Sequence, residues 1–96
     1  MRPDAILEAA AATFRERNAV YKDNYIKVGQ IMAILFPDGI TLKNTADFTK
    51  WHLFELMIVK VTRFVNGDLE HHDSIRDIAV YAAMIESLLG KRGKDE

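Results

Sequence analysis

Residues 46–89, ADFTKWHLFELMIVKVTRFVNGDLEHHDSIRDIAVYAAMIESLL, decide the fold. The first part, from Ala46 to Val65, holds no proline or glycine and predicts a helix of about 30 Å. Asn66-Gly67-Asp68 ends it, with Gly67 the expected left-handed C-cap. Asp73 or Ser74 opens a further helix that runs to Leu89, and Gly90 closes it. His71 and His72 fall in the turn between the two. A turn this short joins antiparallel neighbours, so the stretch reads as a helical hairpin.

The segments on either side read the same way. Pro3 and Asp4 suit a first helical turn. Ala5 to Arg17 is alanine-rich, with Ile6, Leu7, Ala10, Ala11 and Phe14 at helical spacing and Asn18 as the expected stop. Tyr21-Lys22-Asp23-Asn24-Tyr25 forms a polar-aromatic junction in which Asp23 or Asn24 caps a second helix, Tyr25 to Leu35. Phe36-Pro37-Asp38-Gly39 breaks that helix with strong turn chemistry. The loop continues to Asn44 or Thr45, either of which caps the third helix. Repeats, low-complexity tracts and alternating strands are absent from the sequence. The expectation is an all-α fold: a single domain over residues 1–90, about four helices in an antiparallel bundle, and a charged, solvated tail over residues 91–96.

Composition narrows the function classes. With 96 residues there is room for one domain, and a domain of this size buries only about two-thirds of its unfolded surface. A hydrophobic share of 49% is high for that, which leaves apolar surface for a subunit interface. The net charge of -1 provides no overall field for nucleic acid or an acidic membrane. The absence of cysteine excludes disulfides and thiolate metal sites. The N-terminus does not read as a signal peptide, and the longest apolar runs, about five residues, fall far short of the roughly 20 that a membrane helix needs. Cytoplasmic localisation is the default expectation.

The chemistry begins with a carboxylate on an apolar face. At about 100° per residue, Asp73, Asp77, Tyr81, Met84 and Leu88 share one stripe of the fourth helix, flanked by Ile78 and Ile85. An ionised Asp77 there needs a cation or a metal. On the third helix, Lys60 lies at the edge of the face bearing Leu53, Met57 and Phe64, and Arg63 lies about 60° away. Three residues apart, their heads can converge. Asp77 is therefore expected to be largely buried and in contact with Lys60 or Arg63. Two readings stay open: a structural ion-pair network that fixes helix register, or a phosphate or nucleotide site in which the cations bind phosphate. In the second reading Asp73 and Asp77 orient the cations or hold Mg²⁺ weakly through water.

Lys60-x-x-Arg63, a short turn, and Asp73-Ser74-x-x-Asp77-Ile78-Ala79-x-Tyr81-Ala82 together resemble small phage-encoded proteins of the MazG-like all-α NTP pyrophosphatase group. The segment Glu16-Arg17-Asn18-Ala19-Val20-Tyr21-Lys22-Asp23 is similar to a stretch that precedes the hairpin in such proteins. The resemblance implies a MazG-like helical bundle, self-assembly into a homo-oligomer, and a bacterial cytoplasm as the site of action. In the hydrolysing family, Glu-x-x-Glu on one helix and Glu-x-x-Asp on the next bind Mg²⁺ around a triphosphate. Here Lys60 and Arg63 stand about where the first carboxylates are expected, and Ser74 replaces the glutamate of the second motif. Asp77 matches its terminal aspartate, and Asp73 substitutes in part. The expected function is nucleotide binding or nucleotide-signal sequestration with weak or no Mg²⁺-dependent hydrolysis. The expected ligand-binding residues are Lys60, Arg63, Asp73, Asp77, Tyr81, Tyr21, Lys22 and Tyr25.

Tyr21, Tyr25 and Trp51 suit either base stacking or a core. The Tyr21–Tyr25 junction is the stronger candidate, because backbone amides at a helix start also bind anions. His71-His72 reads as an exposed turn rather than a metal site, since adjacent histidines diverge. His52 and Glu55 read as a surface pair. The chain carries no Ser/His/Asp arrangement, phosphate loop or dinucleotide fingerprint. The alternative function is a helical interaction protein that binds or inhibits a host protein, its polar cluster purely structural. The third helix supports a homo-oligomer independently, because its apolar residues run nearly all round: Trp51, Phe54, Ile58, Val61 and Val65 on one arc, Leu53, Met57 and Phe64 on the next.

Overall fold

The computed structural model describes residues 2–90. Four helices follow in order: α1 Pro3–Tyr21, α2 Asn24–Leu35, α3 Thr45–Asn66 and α4 His72–Ser87, with no strand among the described residues. The fold is an all-α helical bundle.

Local chemistry explains the boundaries. Pro3 starts α1 where its missing N–H costs nothing. Asn18 does not stop α1, which runs on to Tyr21. There Lys22 and Asp23 both take left-handed backbone angles, φ 53° and 58°. Asn18 supports that elbow instead: its side-chain amide donates to Asp23 Oδ1 at 2.8 Å, and the Asp23 N–H donates back to Asn18 Oδ1 at 2.9 Å. Asn44 caps α3 as expected, its Oδ1 accepting from the Asp47 N–H at 2.9 Å. At the other end of α3 the left-handed residues are Asp68 and Leu69, while Gly67 keeps a negative φ of -93°. The left-handed turn thus begins one residue later than the glycine suggested. α4 then starts at His72, a residue or two before the expected Asp73 or Ser74, so the turn is shorter than the sequence suggested.

α3 is the centre of the bundle, packing against α4 and α2. Phe64 lies near Ile75, Lys60 meets Asp77, and Phe54 lies near Ile85. Numbers falling along α3 as they rise along α4 identify an antiparallel hairpin. On the other side Asn66 bonds Asn24, and Phe36 meets Trp51 and Phe54 edge-on at 5.3 and 6.0 Å. α2 is therefore also antiparallel to α3. α1 buries none of its residues, and the molecule is elongated, 58 × 34 × 26 Å.

The interior of one subunit is small. Leu53, 9% exposed, is its one buried apolar side chain among the described residues. The other buried residues are Asn24, Thr62 and Ser74. Thr62 satisfies its hydroxyl on the Val59 carbonyl at 2.7 Å, and Ser74, wholly buried, places its hydroxyl against His71 Nδ1. These contacts obey the rule that buried polar groups are paired.

Candidate functional site

The two cations of α3 part company. Lys60 Nζ pairs with Asp77 Oδ2 at 2.9 Å, bridging α3 to α4. The Lys60 side chain is 16% exposed and that of Asp77 39%, so the carboxylate is half-buried rather than largely buried. The reason is its position at the edge of the α3–α4 seam, whose centre is taken by Ser74 and Leu53. Arg63 turns the other way, toward α1. Its Cζ lies 4.7 Å from the centroid of the Tyr21 ring, a cation–π contact. Its Nε is buried without a hydrogen-bond partner. The expected contact of Asp77 with Lys60 or Arg63 is thus made by Lys60 alone, and the two cationic heads do not converge.

Arg63 instead lines a cleft of about 660 Å³ between α1, the start of α2 and α3. One wall is a stripe of α3: Glu55, Val59 and Arg63, each four residues from the next. The facing wall comes from α1, with Phe14, Arg17 and Tyr21, and from α2, with Tyr25 and Val28. Phe14 and Tyr25 stack edge to face at 6.3 Å. The floor at the elbow is polar and tied down. The Asn66 side-chain amide donates to the Tyr21 carbonyl at 3.0 Å and to Asn24 Oδ1 at 3.2 Å, and Lys27 Nζ donates to Asn66 Oδ1 at 2.8 Å. The cleft is thus apolar and aromatic along its length, with guanidinium groups of Arg17 and Arg63 on opposite walls and Glu55 as its one acidic lining residue. That mixture, mostly apolar with a few converging polar groups, is the general form of a small-molecule site.

Of the residues picked out by sequence, Tyr21, Tyr25 and Arg63 come together here. Lys60 and Asp77 form their own pair, and neither they nor Lys22 and Tyr81 line the cleft. Asp73 borders a separate groove beside His72 and Arg76. At the start of α2 the Asp23 carbonyl accepts from the Ile26 and Lys27 N–H groups, and the Asp23 side chain does not cap the helix. Asp77 is bonded to the Lys60 ammonium, while Asp73, one turn earlier on α4, borders that separate groove. Ser74 lies at the buried seam, where a longer acidic side chain would be stranded without water.

Sequence reading missed Arg17, Asn18 and Glu55 as cleft residues, while Asn24 belongs to the junction it had singled out. A signal existed for Glu55: it shares a stripe with Val59 and Arg63, as Arg17 does with Tyr21. Pairing Glu55 with His52 obscured it; no ion pair links the two, and Glu55 makes no hydrogen bond or ion pair among the described residues. Compared with protein-family models, with curated proteins and with solved structures, the chain matches none. No described helix is long and apolar enough to cross a membrane.

Proposed function

We propose that this chain binds a nucleotide in the cleft between α1 and α3, with little or no hydrolysis. The observation that carries the reading is Arg63: a guanidinium against the Tyr21 ring, in no ion pair among the described residues, at one end of an otherwise aromatic cleft. Arginine binds phosphate through charge-assisted, often bidentate, hydrogen bonds. Arg17 on the opposite wall supplies a second cation, and the Tyr25 and Phe14 rings offer stacking surface for a base. Weak turnover follows from the donor set, since one carboxylate in the cleft is a poor substitute for the paired acidic motifs that hold Mg²⁺ in NTP pyrophosphatases. The resemblance to the MazG-like group supports the same ligand class. Thermal unfolding with nucleoside mono-, di- and triphosphates, with and without Mg²⁺, tests the reading. A ligand specific to the folded state raises the midpoint, and no shift with any nucleotide at millimolar concentration overturns the proposal. Efficient Mg²⁺-dependent release of pyrophosphate overturns the non-hydrolysing part.

The chain also acts as a homo-oligomer in this reading. Among the described residues nineteen large apolar side chains are exposed, against the single buried Leu53. The accessible surface is 7757 Å², where a compact monomer of this mass exposes about 5,600 Å². Even if the seven terminal residues outside the description are allowed their full extended-chain area, an excess of more than about 1,000 Å² remains. A standard interface takes about 800 Å² from each partner. Val61 and Val65 of α3 and Met84 and Leu88 of α4 belong to the uncovered surface. Sedimentation at micromolar concentration is expected to give a species of at least twice the chain mass. A pure monomer would instead favour the alternative, an interaction protein whose apolar surface waits for a different partner.

A further inference from the structure

We infer that the cleft selects guanine among the nucleobases, through Glu55; the inference rests on the nucleotide-binding reading above. Along α3 the lining residues present three chemistries in a row: the Glu55 carboxylate, the Val59 side chain and the Arg63 guanidinium. Eight residues of helix separate the two charged ends by about 12 Å of rise. That span, shortened by the reach of both side chains, accommodates a base, a ribose and a phosphate in line. Phosphate goes to Arg63, which lines the cleft, lies against the Tyr21 ring and forms no ion pair among the described residues. The ribose and base then run along Val59 toward Glu55, in a cleft that the Phe14 and Tyr25 rings also line.

The identity of the base follows from hydrogen-bond complementarity. An ionised carboxylate only accepts, with two oxygens side by side. Guanine presents two adjacent donors on its Watson–Crick edge, the N1–H and the exocyclic N2 amino group, and so matches both oxygens. Adenine and cytosine each set an amino donor beside a ring-nitrogen acceptor, and that lone pair would face a carboxylate oxygen. Uracil offers one imino donor between two carbonyl acceptors. Glu55 is half-buried and unpaired among the described residues, so a base that fails to match it leaves a carboxylate desolvated and unsatisfied. Sites of this kind discriminate strongly.

The test is calorimetric titration of the full chain with GMP, AMP, CMP and UMP, repeated with Glu55→Gln. The expected result is GMP binding tighter than the other three by on the order of tenfold. In Glu55→Gln this preference collapses: GMP affinity falls, while AMP, which no longer sets a lone pair against a carboxylate oxygen, binds at least as well as to the wild type. Thermal unfolding without ligand checks that the variant is folded, and Glu55→Asp, which keeps the two acceptors, should retain part of the preference. Equal affinity for all four nucleotides in the wild type overturns the guanine inference and leaves nucleotide binding intact. A guanine preference that survives Glu55→Gln in a folded variant removes Glu55 from the readout. Failure of all four monophosphates and of the corresponding triphosphates overturns the nucleotide reading itself.

Discussion

The two sides of α3 solve the same problem, a cation on a packed helix, in opposite ways. Toward α4, Lys60 finds Asp77 at 2.9 Å, beside the buried Leu53 and Ser74. Toward α1, Arg63 finds only the face of Tyr21 and leaves its Nε without a partner beside a cleft of about 660 Å³. A charge already neutralised within the fold has little left to offer a ligand; a charge held in place by an aromatic ring keeps its donors. In the proposed function the first side is the structural half of the molecule and the second the binding half. Lys60 and Arg63 are three residues apart in sequence, and the difference between them comes entirely from what faces each.

That division predicts a large asymmetry in stability. Leu53→Ala, on the structural side, should destabilise by about 2–4 kcal/mol, the cost of emptying a buried leucine site. Phe14→Ala, in the open wall of the cleft, should cost under about 1 kcal/mol, since its ring is exposed in the free protein. Denaturant unfolding of both variants measures this. Similar losses would mean that α1 is packed more firmly than its lack of buried residues indicates.

The next effect is a crossed pair. Arg63→Ala should weaken nucleotide binding by about 1.5–3 kcal/mol, the range for hydrogen bonds to a charged group, with a smaller change in stability. Asp77→Asn should do the reverse, costing about 1 kcal/mol of stability and leaving affinity nearly unchanged. The half-exposed carboxylate places this pair nearer the surface range than the buried one. Titration and unfolding on the same two proteins decide it. A loss of affinity in Asp77→Asn would erase the distinction between the two sides.

The smallest effect concerns the elbow. Asn18→Ala removes both side-chain bonds that brace the left-handed Lys22–Asp23 pair. It should cost about 1 kcal/mol, and it should reduce nucleotide affinity modestly by loosening α1 as a wall of the cleft. An unchanged amide-exchange rate at Lys22 and Asp23 in this variant would show that the turn holds without Asn18.

The helices, their order and their antiparallel hairpin were legible in residues 46–89 and their flanks, because periodicity, capping residues and breakers act locally. The Asn44 cap and the Lys60–Asp77 pair belong to that class: each depends on spacing along one helix or across one short turn. The left-handed residues after α3 did not, since Gly67 competed with Asp68 and Leu69 for the same turn and the docking of α4 decided between them. Nor did the cleft. Glu55, Asn18 and Asn24 become neighbours of Arg63 only when α1 and α2 fold back on α3, contacts spanning up to 45 residues of sequence between Tyr21 and Asn66. A sequence shows which residues share a helical face; which faces meet, and therefore which charges are neutralised and which are left with open donors, is set by how the helices pack.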